Sequence, residues 1–76
     1  MADEISTVMS NCQGKNVLLR LRNTKTIQGI LIDFDIHMNL TLNNAEDISE
    51  EKHLSLGKVL LRGDNILAIS LPSDKS

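Results

Sequence analysis

Hydrophobic and polar residues alternate along the segment from Ile30 to Leu42. Every even position is apolar, and from residue 33 onward the odd positions are polar: Asp33, Asp35, His37, Asn39 and Thr41. Because successive side chains of a β-strand point to opposite faces, this alternation predicts one apolar face and one polar face. Short side chains with defined hydrogen-bonding geometry are typical of a face that binds a ligand, so we expect functional residues here.

The rest of the chain predicts a short helix and further strands. The helix covers about residues 3–12, where Ile5, Val8, Met9 and Cys12 share one helical face and Gly14 follows as a stop. Strands are predicted at 15–22, 26–36, 40–48, 53–61 and 66–71. One strand from 26 to 42 would be unusually long, so we expect the chain to reverse near residues 37–39.

Glycines and apolar runs indicate how these strands are arranged. Gly29 and Gly57 lie inside predicted strands, where glycine permits a sharp bend. One helix followed by short or bent strands favours a mainly β fold, a meander that closes into a small barrel. The strands around 59–61 and 66–69 are apolar on both faces, more than so small a core can bury. We therefore expect neighbouring subunits to cover these edges, which gives a ring if the rotation closes.

Composition narrows the class of protein. The 76 residues predict one domain, 1–76, with a barrel at about 15–71 and a loose tail at 73–76. Cys12 is the single cysteine, so no intrachain disulfide forms, and no run of residues is typical of a zinc site. We expect no metal and no cofactor. A net charge of -2 argues against a general nucleic-acid coat protein, whose affinity comes from summed phosphate neutralisation.

The sequence also predicts a location. No stretch approaches the apolar length that spans a bilayer, and the first residues lack the basic and apolar regions of a signal peptide. A free thiol without an export signal is typical of a reducing, intracellular setting. We therefore expect a cytoplasmic protein that does not interact with membranes.

Two segments resemble motifs of a known family. Gly29 to Asn39, GILIDFDIHMN, resembles the Sm1 motif of the Sm and Sm-like (LSm) proteins, and Leu61 to Asn65, LRGDN, resembles their Sm2 motif. The resemblance covers about residues 6–72, and both motifs in this order are a specific signal. The His-Met-Asn triplet and the Arg-Gly-Asp-Asn run are most similar to archaeal members.

The resemblance implies both an architecture and a ligand. Family members have a short N-terminal helix and a strongly bent five-stranded antiparallel sheet that forms a small open barrel. They assemble into rings, most often of seven subunits, in which the fourth strand of one subunit pairs with the fifth of the next. The implied partner is single-stranded uridine-rich RNA, bound at the pore of a homo-oligomeric ring, which we expect to be a heptamer.

Three residues of these motifs form our hypothesis for a uracil pocket. His37 and the planar guanidinium of Arg62 sandwich the base, while the Asn39 amide donates to uracil O4 and accepts from N3–H. An ionised Asp35 only accepts hydrogen bonds. A bond from the Asn39 amide to Asp35 would therefore hold that amide in the orientation that selects uracil.

The other candidate RNA-binding residues are Met38, Gly63 and Asp64. Asp64 is expected to brace Arg62 or Asn39, and Gly63 to let the backbone approach the base or adopt a positive φ. Met38 belongs to the motif, although core packing is the more common role for a methionine.

Other interpretations remain open from the sequence. The row formed by Asp33, Asp35, His37 and Asn39 also fits divalent-cation ligation, and the first three would suit a metal-assisted hydrolase. No acid–base pair or nucleophile accompanies them, so we expect no catalytic residue and no enzyme. Arg20 and Arg22 share a strand face that is either a second RNA patch or a solvated surface.

Two non-enzymatic functions follow from this pattern. The first is an RNA scaffold or chaperone in RNA processing, with RNA-processing proteins as further partners. The second is a ring-shaped protein-interaction scaffold whose RNA binding is incidental.

Overall fold

The structure is a computed structural model that describes residues 4–71, with side chains described from residue 7 onward. The elements in order are α1 (Glu4–Cys12), β1 (Asn16–Leu21), β2 (Thr26–Phe34), β3 (Leu40–Asp47), β4 (Leu54–Leu61), a 3-10 turn (Gly63–Asn65) and β5 (Ile66–Ser70). Position 3 of the predicted helix and the predicted tail lie outside the described residues. No helix within 4–71 has the length and apolar character needed to cross a membrane.

All five strands form one antiparallel sheet in the order β4-β3-β2-β1-β5. β4 and β5 are therefore the two edges of the sheet, and both carry apolar side chains that the single chain leaves exposed. Leu60 on β4 is 74% exposed and Leu67 on β5 is 62% exposed. The predicted mainly β fold, with one short helix and five antiparallel strands, is confirmed.

The predicted bends lie where the strand register shifts. The pairing of β2 with β3 shifts on either side of Gly29, between Gln28 and Ile30. A Cβ on Gly29 would lie 3.1 Å from the Cα of Ala45, a tighter contact than most side chains make, so glycine favours this close approach of β3. Gly57 pairs with Ala45 across another register shift and has a φ of +74°, which glycine adopts readily.

The core is a single aliphatic cluster. Alternate positions of the inner strands supply most of its side chains, and α1 packs against them. The buried members of the cluster are Met9, Cys12, Val17, Leu19, Leu21, Ile27, Leu31, Leu40, Leu42 and Ala45. Met9 and Cys12 bring the helix into this cluster, whereas Val8, predicted on the same helical face, remains 40% exposed. Gly14 ends the helical segment with a φ of +84°.

The alternation from Ile30 to Leu42 does not form one buried face, and this prediction was wrong. Leu31 is fully buried, whereas Ile32 is 42% exposed and Ile36 is 88% exposed. Odd positions of β2 face the core as far as Leu31, and a register shift then lies between Leu31 and Asp33. An offset of one residue exchanges the two faces of a strand, and so Phe34 packs against the core instead.

Candidate functional site

One open cleft collects the residues that the two motifs predict. It lies between the 35–39 loop, which connects β2 to β3, and the 3-10 turn that follows β4. The cleft has a volume of 820 Å³, and its lining residues are Asp35, His37, Met38, Asn39, Leu60, Leu61, Arg62, Gly63 and Asp64. Segments far apart in sequence are thus brought to one place.

The 35–39 loop reverses the chain in a tight turn. The Met38 amide donates to the Asp35 carbonyl at 3.0 Å, and the Asp35 amide donates to the Asn39 carbonyl at 3.2 Å. Met38 has a φ of +64°, in the left-handed region that few residues other than glycine adopt. The predicted reversal is confirmed, and it begins earlier than expected, so His37 and Asn39 do not continue the polar face of β2.

The Asp35 carboxylate organises this loop. Its Oδ1 accepts from the backbone amides of His37 and Asn39, both at 2.9 Å, and its Oδ2 accepts from Asn39 Nδ2 at 3.0 Å. The backbone and side-chain hydrogen bonds from Asn39 lower the pKa of Asp35 below its ordinary value, because they favour the charged carboxylate. At neutral pH this group is therefore an acceptor only.

Partners of opposite polarity hold the two ends of the Asn39 amide. Nδ2 donates to Asp35, and Oδ1 accepts from the Gly63 backbone amide at 2.7 Å. A flipped amide would set its oxygen against the Asp35 carboxylate and its NH2 against the Gly63 N–H. The orientation is therefore defined, and each end keeps one more hydrogen-bonding position: an Nδ2 hydrogen and an Oδ1 lone pair.

Gly63 is a glycine because the 3-10 turn touches the 35–39 loop. A Cβ at this position would lie 2.0 Å from the His37 carbonyl oxygen and 3.0 Å from the carbonyl carbon of Met38. Gly63 does not have a positive φ, so that expectation was wrong. Its close approach is to the backbone of the loop, and an approach to a base stays a prediction.

Arg62 and Asp64 form the exposed rim of the cleft. Arg62 Nη2 lies 3.5 Å from Asp64 Oδ2, and the two side chains are 81% and 74% exposed. Asp64 thus contacts Arg62 and not Asn39, the two options left open by the sequence. An ion pair so exposed is weak, so the guanidinium remains available to a planar ligand.

Sequence reasoning missed three residues near this cleft. Leu60 and Leu61 line it, although the sequence assigned no binding role to either. Arg22 donates from Nε to the Asp64 carbonyl oxygen at 2.8 Å. No signal in the sequence links Arg22 to the Sm2-like segment, because the two lie 42 positions apart.

The alternative metal ligands do not converge. Within the described part of the chain, no three side chains of His, Cys, Asp or Glu are grouped so that they would hold a metal ion. Asp33 Oδ1 accepts instead from the Phe34 amide at 2.8 Å, and Asp35 is engaged by its own loop. The geometry gives no support to a metal-assisted hydrolase.

Comparison with known proteins defines the class. The LSM domain family matches residues 7–71 of this chain. An Sm-like snRNP protein of Methanosarcina barkeri is 38% identical over 71 residues, which make up 92% of this chain and 99% of the relative. The chain belongs to the LSM domain family.

Solved structures show the same fold. A heptameric Sm-type protein of P. aerophilum superimposes with a TM-score of 0.89 at 36% identity, covering 96% of this chain and 99% of that one. The Sm protein of Pyrococcus abyssii, solved in complex with a uridine heptamer, has a TM-score of 0.82 at 38% identity and covers 88% and 96%. The Sm fold and the archaeal resemblance expected from the sequence are confirmed.

Proposed function

We propose that this protein binds single-stranded, uridine-rich RNA around the pore of a homo-oligomeric ring and acts without catalysis as an RNA scaffold or chaperone. The main support for this proposal is the defined orientation of the Asn39 amide. Its remaining N–H donor and carbonyl lone pair match the O4 acceptor and N3–H donor of uracil. Cytosine presents the reverse order, a donor at N4 and an acceptor at N3. Asp35 and Gly63 prevent the flip that cytosine would require.

His37 and Arg62 supply flat surfaces for the base. Both line the same cleft as Asn39, and an imidazole and a guanidinium can each stack on a pyrimidine ring. Stacking of this kind contributes roughly 1–3 kcal/mol per base and requires an unpaired strand. The positive charge of Arg62 also favours the neighbouring phosphate.

The exposed edges support assembly into a ring. Among residues 4–71, β4 and β5 each pair with one strand only, and both carry exposed leucines. Pairing β4 of one copy with β5 of the next is a heterologous contact, which gives a ring when the rotation between copies closes. The P. aerophilum relative is a heptamer, and the P. abyssii relative was solved in complex with a uridine heptamer, so we propose seven subunits with one pocket each. Repeating a weak pocket around the ring yields high avidity for one strand.

Fluorescence anisotropy with oligo-U and oligo-C tests the pocket. The protein is expected to prefer oligo-U, and Asn39→Ala or Arg62→Ala to weaken that binding by roughly tenfold or more per strand, because seven pockets change together. Asn43→Ala is the matched control, since Asn43 is exposed on β3 and does not line the cleft. Oligo-U binding that survives Asn39→Ala and Arg62→Ala unchanged would show that the pocket is wrongly assigned.

Native mass spectrometry with and without oligo-U tests the ring and its stoichiometry. A ring that binds neither oligonucleotide would favour the alternative, a scaffold for proteins. RNA incubated with the protein and Mg²⁺ or Mn²⁺ is expected to stay intact, and cleavage would contradict a non-enzymatic function.

A further inference from the structure

We propose that Arg22 is a positioning residue for uracil recognition, which holds the 3-10 turn in place so that the Gly63 amide stays on Asn39. This role rests on the proposed uridine binding. Arg22 lies outside both motifs, directly after β1, and does not line the cleft.

Arg22 fastens the turn through two hydrogen bonds. Its Nε donates to the Asp64 carbonyl oxygen at 2.8 Å, and its backbone amide donates to the Asn65 carbonyl oxygen at 2.9 Å. The first bond is the stronger kind, because the donor is ionised. The far half of the turn is thereby tied to the end of β1.

The near half of the turn is tied to the 35–39 loop. The Gly63 amide donates to Asn39 Oδ1 at 2.7 Å. Within the turn itself, the Asn65 amide donates to the Arg62 carbonyl at 3.0 Å, and the Ile66 amide donates to the Gly63 carbonyl. So short a 3-10 segment has little stability of its own, so its outside anchors decide where it sits. Loss of the Arg22 side-chain anchor lets the turn shift away from Asn39.

A shift of Gly63 affects specificity more than affinity. The Asn39 amide then loses the donor that opposes its flip and keeps only Asp35. A flipped amide accommodates cytosine, so discrimination between oligo-U and oligo-C falls. A direct contact of Arg22 with RNA phosphate would act differently: both affinities would fall alike, and the salt dependence would become shallower.

Three variants separate these roles. Arg22→Ala removes the donor and the charge. Arg22→Gln removes the charge but keeps an N–H donor, because Nε2 of glutamine lies the same number of bonds from Cα as Nε of arginine. Arg20→Ala removes a like charge from β1, where the exposed Arg20 side chain has no hydrogen bond to the described residues.

The first measurement is the ratio of oligo-U to oligo-C affinity at several salt concentrations. Arg22→Ala is expected to lower this ratio roughly threefold to tenfold per pocket, the effect of losing one hydrogen bond. Arg22→Gln and Arg20→Ala are expected to keep the ratio of the unaltered protein. Two outcomes would show that Arg22 does not position the turn. One is an affinity ratio that falls as far in Arg22→Gln as in Arg22→Ala, and the other is an unchanged ratio in Arg22→Ala.

The second measurement needs no RNA. Hydrogen exchange of the Gly63 amide, followed by NMR in the full-length protein, is expected to accelerate in Arg22→Ala and to be unchanged in Arg22→Gln. An unaltered protein that does not distinguish oligo-U from oligo-C refutes the proposed function, whereas unchanged Gly63 exchange in Arg22→Ala refutes the role of Arg22 alone. Thermal unfolding confirms that each variant is folded at the temperature used.

Discussion

At the scale of single residues, Asp35 uses its two carboxylate oxygens differently. Oδ1 accepts hydrogen bonds from two backbone amides and shapes the loop, whereas Oδ2 accepts one from the Asn39 side chain. An asparagine at position 35 could keep the first set of bonds through its carbonyl oxygen. Its NH2 would then face the NH2 of Asn39, and the two donors would repel.

Asp35→Asn is therefore expected to reduce the preference for oligo-U over oligo-C, by roughly tenfold per pocket, because one hydrogen bond to a charged group becomes a mismatch. Anisotropy with both oligonucleotides measures this preference. Asp33→Asn is the matched control, because it makes the same chemical change on β2. Among the described residues, the Asp33 carboxylate accepts a hydrogen bond only from the next backbone amide. An unaltered preference in Asp35→Asn would mean that Asp35 does not orient Asn39.

The Asp35 carboxylate also makes the free energy of unfolding depend on pH in the acid range. Hydrogen bonds from Asn39 lower the pKa of Asp35, and those from the Ser49 hydroxyl and amide lower the pKa of Asp47, both below the ordinary 3.8. Because each pKa is lower in the folded state, the stabilisation is fully present above pH 3.8 and is lost as the pH falls through the folded-state pKa values.

Urea unfolding at a series of pH values and one protein concentration measures this loss. The Asp35→Asn, Asp47→Asn double variant is expected to show a shallower decline of the free energy of unfolding below pH 3.8 than the unaltered protein. If the free energy of unfolding declines equally in the double variant and the unaltered protein, titratable groups other than Asp35 and Asp47 cause the acid sensitivity.

At the scale of elements, the local pattern predicted the strands and their arrangement as a meander, but not the register in which they pair. Each strand end was predicted within two residues of its observed position, because hydrophobic periodicity is a property of a strand by itself. The shift between Leu31 and Asp33 is a property of two strands together, so the pattern on β2 alone placed Ile32 on the wrong face. The β2–β3 reversal was predicted from length alone.

Because the 35–39 loop and the 3-10 turn are in close contact, we expect Gly63→Ala to reduce both oligo-U binding and stability. The new Cβ would lie 2.0 Å from the His37 carbonyl oxygen, so the two elements must separate and the bond from Gly63 to Asn39 breaks. We expect oligo-U affinity to fall by roughly tenfold or more and stability to fall by about 1–3 kcal/mol, as in other overpacked sites.

Gly14→Ala is the control for this substitution. Its Cβ would meet nothing within 4 Å, but Gly14 has a φ of +84°, so backbone strain of about 1–2 kcal/mol is the expected cost. Urea unfolding should thus report a loss in both variants, and anisotropy a loss of oligo-U binding in Gly63→Ala alone. Normal binding by Gly63→Ala would show that contact between the two elements is not needed for the pocket.

At the scale of the whole molecule, assembly is expected to set the affinity for RNA. Leu67 lies on the β5 edge and is 62% exposed in the single chain, so Leu67→Asp would bury a charge if that edge is covered. Native mass spectrometry is expected to show monomers in place of rings. Affinity for oligo-U should then drop by roughly a hundredfold or more, because the pockets no longer act on one strand.

Ile32→Asp is the matched control for the edge. Ile32 is 42% exposed but lies on β2, a strand that is already paired on both sides. The ring and its oligo-U affinity are expected to persist in this variant. A ring that survives Leu67→Asp would contradict assembly through the β5 edge.

The sequence by itself determined the strand order along the chain, the two apolar edge strands and the motif residues that gather at the cleft. These features are periodic or contiguous, so each can be recognised within a short window. The Asp35 contact that orients the Asn39 amide was also predicted, since it joins residues four positions apart. Only the tertiary structure decided what holds the other end of that amide, why position 63 must be glycine and what Arg22 holds. The bonds responsible join residues 24 and 42 positions apart, and such partners become neighbours only when the sheet bends and brings both turns together.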